Sequence, residues 1–96
     1  MGQATDLTAA FDAALSLVQR SIATGMTTRD GDPARDQLMR LEKELAAERT
    51  LSAESGTLDS EWFQNTVRWI TDWAPDTEIS LIAALGRIAR AATRRA

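Results

Sequence analysis

The sequence predicts an all-α protein, either a compact four-helix bundle or an orthogonal four-helix domain. Three observations carry that reading: apolar residues recur at intervals of three and four, no stretch alternates apolar and polar residues as a strand would, and both prolines, Pro33 and Pro75, stand where helices would begin. A chain of 96 residues predicts a single helical domain, 1–96, with helices at about 6–24, 33–51, 59–73 and 76–94 joined by short loops.

The first helix is expected to be capped by Thr5 or Asp6. Leu7, Phe11, Ala14, Leu15, Val18 and Ile22 then recur at helical spacing down to Gly25, a residue suited to the left-handed conformation that ends a helix. The loop that follows carries Asp30 and Asp32, with Asp36 beyond. These acids lack the rest of the spacing a calcium loop requires, a glycine at its sixth position and a glutamate at its twelfth. The expectation is an Asp-rich turn in which Asp32 caps the second helix and Pro33 takes its first position.

The second helix has only a thin apolar stripe, Leu38, Leu41 and Leu45, among mixed charges. It reads as the most solvated of the four, supported by pairs such as Asp36 with Arg40, and ending between Thr50 and Ser55 with Gly56 beyond.

The third helix holds all three tryptophans and one of the two phenylalanines. At 100° per residue, Trp62, Thr66, Trp69 and Trp73 form one stripe, and Phe63, Val67, Ile70 and Ala74 a second one about 100° round. Together they span roughly 160° of arc, where a single-faced surface helix needs a little over 100°. The helix must therefore touch two things. The aliphatic stripe is expected to face the core, and the tryptophan stripe either to wedge against the fourth helix or to meet a partner. Asp59 or Thr57 would cap it, Leu58 and Phe63 would form a hydrophobic staple, and Pro75 would stop it.

The fourth helix is expected to begin at Pro75 to Thr77, with Asp76 and Glu78 suiting the positive end of its dipole. Its apolar residues, among them Ile79, Leu81, Ile82, Leu85, Ile88 and Ala92, cover roughly 200° of arc or more. That breadth places it at the centre of the bundle or at a dimer interface. Glycine inside a helix costs ~1 kcal/mol relative to alanine, so Gly86, with Ala83 and Ala89, is expected to serve close helix packing inside the bundle or, as the sharper option, a symmetric dimer seam.

The chain contains no cysteine, histidine or tyrosine. Disulfides, thiolate chemistry, the usual zinc sites and any histidine base are thereby excluded. Catalysis would have to rest on carboxylates, hydroxyls, arginine or the lone Lys43, and no spacing supports a two-carboxylate or magnesium centre. The expectation is a protein that is not an enzyme and uses no cofactor, metal or small-molecule substrate. No apolar run reaches the roughly 18 residues a membrane span needs, and the amino terminus lacks the basic and apolar regions of a secretory signal. These point to a cytoplasmic protein with no membrane partner. Ten of eleven basic residues are arginine and alanine is abundant, a bias common in GC-rich bacterial genomes.

The net charge of −3 is unevenly placed. Arg87, Arg90, Arg94 and Arg95 lie at the carboxyl end, so residues 1–86 hold seven basic against fourteen acidic residues, a charge of −7. The body would repel phosphate. Candidate partner-binding residues are Trp62, Trp69 and Trp73, since tryptophan anchors interfaces at little entropic cost, and the basic face of Arg87, Arg90 and Arg94. The expected function is a non-enzymatic helical protein–protein interaction module, an adaptor, assembly subunit or inhibitor. Its partner would be another protein or a second copy of itself.

The run Trp62-Phe63-Gln64-Asn65, followed by Arg68 and Trp69, is similar to the recognition helix of homeodomains. The resemblance implies that Trp62 and Phe63 pack inward while Gln64 and Asn65 face the major groove, where an amide pairs with adenine. The match departs at Thr66 and Val67, where that family places phosphate-binding arginines, at Glu61, in the lack of a basic amino-terminal arm, and in the presence of a fourth helix. A small nucleic-acid-binding regulator, using Gln64, Asn65 and Arg68 or the carboxyl-terminal arginines, is the alternative that the acidic body disfavours.

Overall fold

The computed structural model describes residues 3–75 and 80–93. They form an all-α four-helix bundle of α1 (Gln3–Thr24), α2 (Arg35–Ser55), α3 (Ser60–Trp73) and α4 (Ser80–Thr93), measuring 42 × 21 × 18 Å. None of these helices is long and apolar enough to cross a membrane. The start expected for the fourth helix at Pro75 to Thr77, its dipole partners Asp76 and Glu78, and Arg94 and Arg95 lie wholly or partly outside the described residues.

Several helix ends follow from local chemistry. Asp59 caps α3, its Oδ1 accepting from the Trp62 N–H at 3.1 Å, and Ala74 turns extended (φ −72, ψ 143) before Pro75. Gly56 closes α2 in the left-handed region at φ 75, its N–H donating to the Ser52 carbonyl at 2.7 Å.

Two caps differ from expectation. α1 already begins at Gln3, so Thr5 and Asp6 lie inside it, and Asp6 instead sets a carboxylate in its first turn. Gln3 and Ala4 are good helix formers, and nothing in them halts the helix at Asp6. α2 begins at Arg35, not Pro33. Pro33 is bridged to Thr27, the Thr28 N–H donates to the Asp32 carbonyl at 2.7 Å, and the Ala34 N–H to that of Met26 at 3.0 Å. These bonds hold the chain extended through Pro33, so Ala34 becomes the cap without a side-chain bond.

The backbones order the helices α2–α1–α4–α3, with α1 packed on α2 and α4, and α4 on α1 and α3. The fourth helix therefore shares the centre with the first. α1 contributes Leu7, Phe11, Ala14 and Val18 to the core, α2 Leu38, Leu41 and Leu45, and α4 Leu81, Leu85 and Ile88. The ring closes between α2 and α3, although no Cα of one lies within 8 Å of a Cα of the other. Large side chains span that gap.

Candidate functional site

The residues between α2 and α3 form the candidate site. On α3, with Trp62 at zero and 100° per residue, the tryptophan stripe centres near about 10° and the aliphatic stripe near about 110°. The most buried residues, Thr66 (4% exposed) and Ile70 (0%), fall between them. The helix thus points the boundary of its stripes at the core. Phe63 and Val67 on one flank and Trp62, Trp69 and Trp73 on the other are all half-buried. The expected division into a core stripe and a free stripe is replaced by two half-covered flanks, and the tryptophans lean toward α2 rather than α4.

Trp62 packs on the buried Phe11 of α1, ring centroids 6.3 Å apart, and its Nε1–H donates to Glu44 Oε1 at 3.2 Å. The other Glu44 oxygen accepts from Arg40 Nε at 2.8 Å. The Arg40 guanidinium lies 4.8 Å from the Trp69 ring centroid, and Trp69 meets Trp73 edge to face at 5.4 Å. The result is a continuous chain of contacts, indole to carboxylate to guanidinium to indole to indole. A cation over a partly exposed ring adds about 0.5–1 kcal/mol. Arg40, expected to pair with Asp36, pairs instead with Glu44 because α3 fixes that carboxylate from the far side.

Arg40, Glu44, Trp62, Asn65, Thr66 and Trp69 line a cleft of about 210 Å³, the size of one large side chain. Beyond Trp69, the Trp73 Nε1–H is buried without a hydrogen-bond partner among the described residues. One turn beyond Glu44, Glu48 has its carboxyl pushed above the ordinary glutamate value by burial, then by the negative charges of Asp59 and Glu44.

Arg29, from the α1–α2 turn, secures the end of α3. Its N–H donates to the Trp73 carbonyl at 2.8 Å, and Nη2 to the Thr71 carbonyl at 2.7 Å. A cation there complements the negative helix end. Arg29, Arg40 and Glu44 were not singled out as site residues in the sequence, because the α3 partners that bring them to the site lie 18 or more residues away.

The remaining candidates stand elsewhere. Arg87 and Arg90 are exposed on α4, lining its seam with α1, so the structure does not bring them to the tryptophans; Arg94 lies outside the described residues. Gln64, Asn65 and Arg68 are exposed on α3, flanked by exposed Glu61 and Asp72. Within the bundle Gly86 does not serve close packing: among the described residues a Cβ built there would meet only Arg90 Nη1, at 3.7 Å. Among the described residues no three acids gather to hold a metal ion. No family model, curated protein or solved structure matches the chain.

Proposed function

We propose that this chain is a non-catalytic interaction module that engages a protein partner through the tryptophan flank of α3. The carrying observation is the half-buried row of Trp62, Trp69 and Trp73 around an open cleft. Here Glu44 and Arg40 hold the rings in place while one side stays open, which is how a pre-organised anchor reduces the entropy lost on binding. The partner is another protein, or a second copy of the chain. Nucleic acid ranks behind it, since Gln64, Asn65 and Arg68 share their surface with Glu61 and Asp72.

The test compares wild-type protein with Trp69→Ser, after circular dichroism establishes equal helix content. Expected is a stoichiometric complex, with a protein from the source cells or with itself by light scattering, that weakens at least tenfold in the variant. A complex indifferent to Trp69→Ser, or one formed only with duplex DNA, would overturn the reading.

A further inference from the structure

We propose that the opposite side of the bundle, the trough between α1 and α4, is a second docking site, whose occupant is an acidic amphipathic helix of another protein. Two hollows of about 440 and 450 Å³ lie along this seam and share Ala13 and Arg87, so they form one trough. Its lining on α1 runs from Asp6 to Arg20, a length of roughly 21 Å at 1.5 Å per residue. That matches about four turns of an added helix.

The floor is low and apolar: Ala9, Ala10, Ala13 and Leu17 on the α1 side, Ala83 and Ala84 on the α4 side. Small residues let an incoming helix approach to about 8 Å between axes.

Charge selects the occupant. Arg20, Arg87 and Arg90 stand over the trough, against the carboxylate of Asp6 as the one acid among its described lining residues, in a protein of net charge −3. This positive field on an acidic molecule draws acidic side chains flanking an apolar stripe. A second copy fits poorly, since a two-fold pairing would set this arginine-rich face against itself. The site is independent of the tryptophan flank, and the two grooves lie on opposite sides of the helix ring, so both can be filled at once.

Two fluorescent 18-residue helical peptides test this, with the same Leu/Ala stripe but flanked by Glu in one and by Lys in the other. By anisotropy at low salt, the Glu peptide should bind about tenfold or more tighter than the Lys peptide, and weaken as salt rises. Arg20→Glu with Arg87→Glu, both exposed positions, should invert that preference, while Trp69→Ser leaves it intact. Amide shifts of the labelled protein should cluster on residues 6–20 and 80–91. Equal binding of both peptides, no binding at millimolar concentration, shifts confined to α3, a dimer formed through this face, or a preference for duplex DNA over the Glu peptide would each overturn the proposal.

Discussion

The two opposite seams of the bundle are built on different plans. Along α1 and α4 the backbones come close, because alanines occupy much of the contact, and that leaves a shallow trough outside. Along α2 and α3 no Cα pair comes within 8 Å, and the gap is bridged by indoles: Trp62 donates its Nε1–H to Glu44, and the Arg40 guanidinium lies over the Trp69 ring. A close seam tolerates loss of atoms but not gain, and a bridged seam the reverse. The same fold therefore presents one surface shaped by what is missing and another by what protrudes.

Substitutions at both seams sharpen the contrast. The largest effect is expected at Phe11, fully buried on α1 and packed under Trp62: Phe11→Ala should cost about 3–5 kcal/mol, read as a lower urea midpoint at unchanged slope. Next come opposed changes. Trp62→Ala should destabilise by ~2–3 kcal/mol through lost contacts, whereas the buried Ala84 should resist enlargement, Ala84→Leu costing ~1–3 kcal/mol through overpacking. A neutral Ala84→Leu would erase the distinction.

Smaller and opposite in sign, Gly86→Ala should stabilise the isolated protein by ~0.5–1 kcal/mol, since a methyl there meets only a flexible arginine tip. Thermal melting detects it, and a loss of stability would mean that α4 packs closely at this point after all. Smallest is Glu48. Its folded value lies above the ordinary 4.5, so the folded state holds the proton more tightly. Its contribution favours the fold when the group is protonated and fades as pH rises through the folded value. Glu48→Gln should thus melt slightly higher than wild type at pH 7, and the advantage should vanish below the ordinary carboxylate range.

Much of the fold was legible because its signals are local. Asp59 and Pro75 bound α3, and Gly56 ends α2, through bonds reaching only three or four residues. The start of α2 was not legible, because Pro33 is held by a bridge to Thr27 that no helix rule anticipates. Periodicity identified both stripes of α3 but not the azimuth of the core, which runs between them at Thr66 and Ile70. Of the candidate site, the sequence yielded the tryptophans but not Arg40 and Glu44, whose roles come from the neighbouring helix. It grouped Arg87 and Arg90 with the tryptophans, although the fold places them on the opposite seam.

The grip of Arg29 on the end of α3 has a kinetic consequence. The α1–α2 hairpin closes through a short turn, but the bonds from Arg29 to Thr71 and Ala74 join residues 42 and 45 apart. Closing so long a loop costs entropy that only neighbouring contacts can recover, so this fastening is expected to form on the native side of the folding barrier. An interaction formed that late hardly alters how fast the chain folds and mainly slows its escape from the folded state. Arg29→Ala is therefore expected to raise the unfolding rate more than it lowers the folding rate, as the two limbs of a chevron would read.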